Sequence, residues 1–269
     1  MLTELWNRLR LFTELPMQAL QDRIAIKPAP RQLIPPHVYQ TWETNLFGKT
    51  HLKEIQYFRS INSDLNFTLF TQALRQSYMQ EFWGNHPIYR IFQQTQFGPM
   101  RADIFRYCIL FERGGFYFDI SKGCSVPLST MYPSDADGLI SFESNDCVLL
   151  PNFRASTQLA YPDKLVLQWG MGFAPAHPIL GRMIENICEY YPYFKNKVFD
   201  SPKSAILRYT GPGMFTKSVR EVFDDAIIMN VSQAGIDFNG KGIFALKGSW
   251  VRYSHFPSYT KSKAMSIVM

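Results

Sequence analysis

The sequence predicts an α/β fold with a mostly parallel central sheet and flanking helices. Short apolar segments that favour strands alternate with longer segments of helical periodicity along most of the 269 residues. Hydrophobic residues make up 46% of the chain, which is enough to build a substantial core. We therefore expect one large domain over residues 31–269, with an appendage at residues 1–30.

The first 30 residues predict an amphipathic helix followed by a linker. Segment 27–30, Lys-Pro-Ala-Pro, is typical of an extended linker, because a residue before proline avoids the helical region. Two interpretations of the helix stay open: it packs on its own domain, or residues 1–15 lie in a membrane interface with Trp6 as an anchor. The apolar side chains that share one helical stripe are Leu2, Leu5, Trp6, Leu9 and Phe12.

The remaining elements are predicted from periodicity and from turn residues. Strands are expected at residues 33–42, 66–71, 116–118, 138–143, 165–173 and 227–231. Helices are expected at residues 51–63, 72–83, 101–113, 179–190 and 214–223. A long loop near the site is expected at 144–163, and Gly170 and Gly172 are expected to leave room for a ligand or another backbone.

The stretch from Arg101 to Pro127 carries the strongest functional signal. Gly114 and Gly115 end a helix where left-handed backbone is favoured, and an aromatic strand, Phe-Tyr-Phe, follows at 116–118. Asp119 comes directly after this strand, at the end where open α/β sheets bind ligands. A carboxylate placed behind three buried aromatic residues needs a solvent, metal or ligand partner.

Composition narrows the possible partners. The net charge of +6 and the isoelectric point near 9.1 suit an anionic ligand, an anionic lipid surface or nucleic acid. Nucleic acid is disfavoured, because the Lys and Arg residues form no basic block and no RNA or DNA motif is present. The four cysteines lack metal-site spacing, so reduced buried thiols are expected. Because neither a membrane span nor a signal peptide is visible, we expect a cytoplasmic protein, either free or peripheral on the inner face of the membrane.

The run RADIFRYCILFERGGFYFDI resembles the central motif of the DXD-type sugar transferases of the initiation-specific α-1,6-mannosyltransferase type (glycosyltransferase family 32-like). More distantly, it resembles the glucosylating domain of large clostridial toxins. The family pattern is Asp-x-x-Arg on a helix, then Gly-Gly, an aromatic or aliphatic residue, and Tyr-x-Asp-x-Asp. Three further stretches agree in order and spacing: IPPHVYQTW at 34–42, FAPAHPIL at 173–180 and TGPGMFT at 210–216.

The resemblance covers residues 31–220 and implies a GT-A fold, a nucleotide-sugar donor, a divalent metal and transfer with retention of configuration. By position, Trp42 corresponds to the residue that stacks on the nucleotide base. Asp103 and Arg106 correspond to the pair that grips the hydroxyls of the donor sugar. Taken alone, this pair would suggest a surface ion pair three residues apart. Asp119 matches the first aspartate of the DXD motif, which contacts ribose, sugar and the metal-bound diphosphate.

The chain departs from the family pattern at Ser121, where the second aspartate of the motif would stand. Residues 119 and 121 would share one face of a strand, and a hydroxyl at 121 can still ligate Mn²⁺ or Mg²⁺ beside Asp119 without adding charge. Lys122 would supply the missing electrostatics if the chain turns there. The departure puts the metal site in doubt.

The remaining site assignments are less direct. Tyr117, Ser121 and Lys122 are expected on the donor side of the site. Gln168 and Trp169 are expected on the acceptor side. His177 is either a further acceptor contact or a structural residue at a helix start.

These assignments predict a retaining glycosyltransferase. Its donor is expected to be a UDP- or GDP-hexose, and its acceptor a polysaccharide, lipopolysaccharide or glycolipid. The alternative is a non-catalytic module that binds a nucleotide sugar or a glycan, for which the degenerate DXD motif is the main argument.

Overall fold

The structure, a computed structural model, describes residues 11–26, 32–146, 158–225, 229–254 and 262–269. Most of the predicted N-terminal helix and the 27–30 linker lie outside the described residues. So do the centre of the predicted 144–163 loop and the start of the predicted 227–231 strand. Of that helix only residues 11–14 are described, and they are helical.

A seven-stranded sheet forms the centre of the fold. Its strands are β1 His37–Thr41, β2 Asn66–Phe70, β3 Gly115–Phe118, β4 Gly138–Asp146, β5 Lys164–Val166, β6 Gly170–Phe173 and β7 Val231–Ile236. The spatial order is β7-β4-β6-β3-β1-β2, and β5 pairs with β4 outside this path. Strand β1 is parallel to β2 and β3, and β7 is parallel to β4, whereas β6 runs antiparallel to both of its neighbours. Strand β5 is also antiparallel to β4, so five of the seven strands run in one direction, and the mostly parallel sheet is confirmed.

Helices flank this sheet, as predicted. Those described are α1 Lys49–Ile61, α2 Gln72–Trp83, α3 Pro87–Gln94, α4 Gly98–Arg113, α5 Pro178–Phe194, α6 Pro202–Tyr209 and α7 Pro212–Asp224, with short 3₁₀ turns at Leu128–Thr130 and Ser249–Ser254. Helices α3 to α7 each have a proline in the first two positions, where its missing N–H costs no helical hydrogen bond. Within the described residues, no helix is both long enough and apolar enough to cross a membrane.

Three pairs of two-residue antiparallel strands connect segments that lie outside the central sheet. Gln18–Ala19 pairs with Leu46–Phe47, Gly123–Cys124 with Gly242–Ile243, and Val198–Phe199 with Met265–Ser266. The N-terminal segment 18–26 also lies along the outer edge of β2. There Arg23 exchanges backbone hydrogen bonds with Phe67, and the Asp22 carboxylate accepts one from the Leu69 N–H at 2.8 Å.

The junction between α4 and β3 confirms the predicted glycine break. Gly114 has φ +64° and Gly115 has φ +100°, a backbone region that other residues rarely adopt. There is also no space for a side chain. A Cβ on Gly114 would lie 2.7 Å from the Pro175 ring, and one on Gly115 would lie 2.6 Å from the His37 carbonyl oxygen. Strand β3 therefore leaves helix α4 at one fixed angle, and that angle determines where Asp119 lies.

Strand β3 is buried on both faces. Phe116 and Phe118 pack on one side, and Tyr117 packs on the other against the main helical core. The room at Gly170 and Gly172 is taken by these aromatic rings and is not open to a ligand. A Cβ on Gly172 would lie 2.4 Å from Phe116 Cδ1, and one on Gly170 would lie 2.8 Å from Phe118 Cε1.

Two predicted strands differ most from the observed ones. The predicted strand at 165–173 is broken into β5 and β6, because the chain changes its partner there. The Leu167 N–H donates to the Ser141 carbonyl of β4, the partner of β5, whereas the Trp169 carbonyl accepts from the Asp119 N–H at 2.8 Å, next to β3, the partner of β6. The last strand runs over Val231–Ile236, later than predicted. The described cysteines carry free thiols, with Cys108 and Cys124 buried and Cys188 half-buried.

The close approach of β6 to β3 gives the first testable prediction. Gly172→Ala places a methyl group against the Phe116 ring and should lower the free energy of unfolding by about 1–3 kcal/mol, the usual cost of overpacking a core. Urea denaturation measures this loss. In a Phe116→Leu background the ring edge is absent, so the same substitution should cost less. Equal losses in both backgrounds would contradict the proposed contact.

Candidate active site

A cavity of about 650 Å³ opens beyond the carboxyl ends of β1 and β3. Its position agrees with the rule that open α/β sheets bind ligands at this edge. The predicted site residues that line it are Trp42, Asp103, Arg106, Tyr117, Asp119, Ser121, Lys122, Gln168 and Trp169. The structure therefore brings together residues that are up to 127 positions apart in the sequence.

Arg106 lies at the centre of this cavity wall and bridges two carboxylates. Its Nη2 is 3.1 Å from Asp103 Oδ1 and 3.0 Å from Asp119 Oδ1. Its guanidinium carbon lies 4.5 Å from the centre of the Tyr117 ring, and the Tyr117 hydroxyl donates to Asp119 Oδ1 at 3.0 Å. Asp103 and Arg106 are 4% and 3% exposed, so they do not form a surface ion pair.

Further polar side chains fix Asp103 from two directions. Gln168 Nε2 donates to Oδ1 at 3.0 Å, and the Thr210 hydroxyl donates to Oδ2 at 2.9 Å. The Tyr107 hydroxyl lies between the two donors: its oxygen is 2.9 Å from the Thr210 carbonyl oxygen and also contacts Gln168 Oε1, and its single proton can be donated to either acceptor. The sequence marked Thr210 only as the first residue of the family-like stretch at 210–216 and gave no signal for Tyr107.

Burial and charge act in opposite directions on the ionisation of this cluster. Burial raises the pKa of Asp103 to about 7, although Arg106 and the hydrogen bonds from Thr210 and Gln168 pull it down. Burial alone would lower the pKa of Arg106. The electrostatic effects of Asp119, Tyr117 and Asp103 raise this pKa, and together they are larger than the effect of burial. Arg106 therefore stays cationic, while Asp103 changes charge near neutral pH.

After their hydrogen bonds within the protein, the carboxylates of Asp103 and Asp119 can still accept hydrogen bonds from a ligand. A carboxylate offers about four lone-pair sites. Asp103 uses three of these on Arg106, Gln168 and Thr210, and Asp119 uses two on Arg106 and Tyr117. Asp119 is also 32% exposed at its side chain, on the cavity wall. The site is thus suited to a ligand that presents hydroxyl donors.

The backbone after Asp119 corrects one prediction. Strand β3 ends at Phe118, and the Lys122 N–H donates to the Asp119 carbonyl at 2.8 Å. Residues 119–122 therefore form a turn, and positions 119 and 121 do not share a strand face. Lys122 lines the same cavity, as predicted for a chain that turns at this point.

The residues around this turn do not fit a resident metal centre. Ser121 replaces a carboxylate, and Asp119 Oδ1 already accepts two hydrogen bonds. Across the described ranges, no group of three His, Cys, Asp or Glu side chains lies close enough to hold a metal ion. The predicted metal ligands, Asp119 and Ser121, offer one remaining carboxylate oxygen and one hydroxyl, which is a weak set for Mn²⁺ or Mg²⁺.

Trp42 is partly covered by residues from the C-terminal part of the chain. The Arg252 guanidinium lies 5.1 Å from the centre of the indole, and the Tyr253 ring packs edge-on at 6.2 Å. Arg252 and Tyr253 both line the cavity, and the sequence analysis did not find them. No local motif marks them, because they reach Trp42 across more than 200 residues.

His177 is not brought to this cavity. Its ring accepts a hydrogen bond from the Ile179 N–H at the start of α5, packs on Phe173, and lies 3.5 Å from Asp137. This is the structural position at a helix start that the sequence left open. Trp169 does line the cavity, but its ring is mostly buried against Phe118 and Phe238.

Comparison with known proteins agrees with this geometry. A family profile described as "Glycosyltransferase sugar-binding region containing DXD motif" matches residues 48–137, which include Asp103, Arg106 and Asp119. In this region the chain is similar to the DXD glycosyltransferases. The resemblance predicted from the central motif is thereby confirmed.

Several curated relatives carry mannosyltransferase names. The chain is 25% identical to a mannosyl phosphorylinositol ceramide synthase of Saccharomyces cerevisiae over 185 residues, 68% of this chain and 42% of that protein. It is 25% identical to an initiation-specific alpha-1,6-mannosyltransferase of Candida albicans over 236 residues, 80% of this chain and 59% of that protein. The chain thus spans about half the length of these relatives.

A solved structure supports the fold. The PaToxG glycosyltransferase superposes with a TM-score of 0.50 over 83% of this chain and 77% of that chain, at 12% sequence identity. This likeness, together with the sheet order, confirms the glycosyltransferase-type α/β fold that the resemblance implied.

The support of Asp103 by Thr210 can be tested directly. Thr210→Val keeps the side-chain shape but removes a buried hydrogen bond to a charged group, so the free energy of unfolding should fall by about 1–3 kcal/mol. The pKa of Asp103 should rise further, since this hydrogen bond lowers it. Chemical denaturation measures the first effect. Thr130→Val, at an exposed hydroxyl, is the control and should change stability by less than about 0.5 kcal/mol. Equal losses would contradict the role of Thr210.

Proposed function

We propose that the protein is a glycosyltransferase that moves a hexose from a nucleoside-diphosphate sugar to a glycan or glycolipid acceptor. The observation that carries this proposal is the buried cluster of Asp103, Arg106 and Asp119 on the wall of the 650 Å³ cavity. The family match over the same three residues supports it. Retention of configuration at the anomeric carbon is part of the proposal and follows from the resemblance.

The cluster would bind the donor sugar through its hydroxyl groups. Asp103 and Asp119 keep free acceptor sites, and Arg106 holds both carboxylates at fixed positions. Carboxylates fixed in this way accept hydroxyl hydrogen bonds without reorganising as the reaction proceeds. Tyr117 contributes indirectly, because its hydroxyl and ring hold Asp119 and Arg106 in place.

The rest of the donor would extend from this cluster toward Trp42. The indole is suited to stacking on a nucleobase, and the distance from Asp119 to Trp42 is spanned by one continuous cavity. UDP- and GDP-sugars both fit this proposal. No step of the reaction is assigned to a metal ion, because the residues present do not form a metal centre.

The acceptor side is proposed at Gln168 and Trp169. Gln168 already donates to Asp103, so an acceptor sugar beside it would lie next to the reacting sugar. Similarity to proteins named mannosyl phosphorylinositol ceramide synthase and initiation-specific alpha-1,6-mannosyltransferase supports a glycolipid or glycan acceptor. A peripheral contact of residues 1–15 with the inner face of the membrane remains part of the proposal.

The degenerate DXD motif favours one alternative, a module that binds a nucleotide sugar without transfer. Incubation with UDP- and GDP-hexoses separates the two functions. A transferase releases free sugar and nucleoside diphosphate when water replaces the acceptor, whereas a binding module leaves the donor intact. If the protein binds the nucleotide sugar but leaves it intact, the result would favour the binding module.

Asp119 gives the most direct test of catalysis. Asp119→Asn preserves the shape of the side chain but removes its charge, so donor hydrolysis should fall by about 10²–10³-fold with the fold retained. Initial rates and thermal unfolding measure the two effects. The control is Asp135→Asn, an exposed aspartate outside the cavity, which should keep full activity. Near-normal hydrolysis in a folded Asp119→Asn protein would contradict the site.

Asp103 predicts a pH dependence. Its pKa is raised to about 7, and only the ionised form pairs fully with Arg106 and accepts sugar hydroxyls, so activity should increase as the pH rises through about 7. No histidine among the described residues lines the cavity. We therefore expect the increase in activity near pH 7, the acidic limb of the pH–rate profile, to come from Asp103.

A pH–rate profile of donor hydrolysis checks this assignment. Asp103→Asn should lower the rate and remove the limb near pH 7. A limb that persists in this variant would have to come from another group.

A further inference from the structure

Lys122 is a cation held at the turn that carries Asp119. Its ammonium lies 3.2 Å from the centre of the Phe244 ring and donates to the Phe244 carbonyl. An ammonium has three N–H donors, so two remain for a ligand in the cavity. The side chain is therefore positioned by protein contacts and still able to bind an anion.

Arg252 is a second cation on the same cavity. Its guanidinium packs between the rings of Trp42 and Tyr253, at 5.1 and 4.5 Å from their centres. Nη1 donates to the Ser249 carbonyl and Nη2 to the Tyr253 hydroxyl, while Nε is buried without a hydrogen-bond partner in the described part of the chain. The guanidinium has unused donors, since a guanidinium carries five N–H groups.

The segment 241–253, here called the strap, holds both cations beside the turn. The Leu246 N–H donates to the Ser121 carbonyl at 2.8 Å, and the Ser125 N–H donates to the Lys241 carbonyl at 2.9 Å. Gly242–Ile243 also pairs with Gly123–Cys124. The cations thus have fixed positions relative to Ser121, where the family pattern has a second aspartate.

The charge around the cavity favours an anion. Five cationic and four anionic residues line it among those described. Arg75 is paired with Glu43, and Arg106 with its two aspartates. Lys122, Arg252 and Arg101, which donates to the Thr95 carbonyl, have no such carboxylate partner among the described ion pairs. Asp119 and Glu143 act electrostatically on Lys122, and the serine at position 121 adds no further negative charge there, whereas an aspartate would.

We propose that Lys122 and Arg252 bind the diphosphate of the donor and stabilise it as the leaving group, in place of a metal ion. This inference rests on the proposed transfer. In that reaction the bond from the anomeric carbon to the β-phosphate oxygen breaks, and its electron pair goes to that oxygen. The acceptor hydroxyl oxygen forms the new bond, and its proton passes to the departing phosphate. The two cations neutralise the charge that develops on the departing diphosphate.

Binding of inorganic pyrophosphate tests the two cations without any reaction. Titration calorimetry in excess chelator should show binding to the wild type, and added Mn²⁺ should change the affinity little. Lys122→Met and Arg252→Met should each weaken binding by about tenfold, as expected for loss of one charge-assisted contact. Lys122→Arg and Arg252→Lys keep the charge and should recover most of the affinity.

Lys247→Met is the matched control, since Lys247 is an exposed lysine of the strap outside the cavity. It should leave pyrophosphate binding unchanged. Binding by the wild type only when Mn²⁺ is present would overturn the inference and needs no variant. Equal losses of pyrophosphate affinity in Lys247→Met and Lys122→Met would also overturn it. Full affinity in both Lys122→Met and Arg252→Met would do the same.

Turnover distinguishes this inference from the function on which it rests. We expect donor hydrolysis to continue in chelator and to fall about 10²-fold in the Lys122→Met/Arg252→Met double variant. This result would support both the transferase function and the role of the two cations. Hydrolysis that stops in chelator while the double variant stays active with Mn²⁺ would overturn the cation role and keep the transferase. Absence of hydrolysis with every donor would defeat the transferase, while pyrophosphate binding would still decide the role of the cations.

Discussion

The architecture of the site depends on one buried guanidinium. Arg106 bonds to carboxylates from two different elements, Asp103 on its own helix and Asp119 after the central strand. A charge at this depth is tolerated only when it is paired and hydrogen-bonded, and Tyr117 and the Gln168 carbonyl complete that pairing. Helix α4, strand β3 and the segment between β5 and β6 are therefore locked together at the cavity. Fold stability and the proposed donor binding depend on the same contacts.

The parts of the site that could be predicted are those encoded by short-range geometry. Asp103 and Arg106 are one helical turn apart, and Asp119 follows a strand of three aromatic residues, so a single stretch of 17 residues contains all three. The glycine break was predictable for the same reason, since Gly114 and Gly115 adopt backbone angles that other residues avoid.

Long-range contacts were not accessible from the sequence. Thr210 reaches Asp103 across 107 positions, and Arg252 reaches Trp42 from the C-terminal part of the chain. The break between β5 and β6 was missed because residues 165–173 are apolar except for Gln168, and periodicity cannot show where such a run turns. The turn at 119–122 was missed because it depends on the backbone bond from Lys122 to Asp119, which an alternating pattern does not reveal.

The segment at residues 18–26 has a consequence for the solubility of the chain. It lies along the outer edge of β2, whose sequence Asn-Phe-Thr-Leu-Phe has no charged residue. An uncovered strand of this composition can pair with the same strand of another molecule, which is how edge strands begin aggregation. Asp22 and Arg23 occupy backbone groups of this edge and place two charges beside it. The segment thus covers the edge through which β2 could pair with another molecule. We expect a shortened chain that starts after residue 26 to form oligomers through β2.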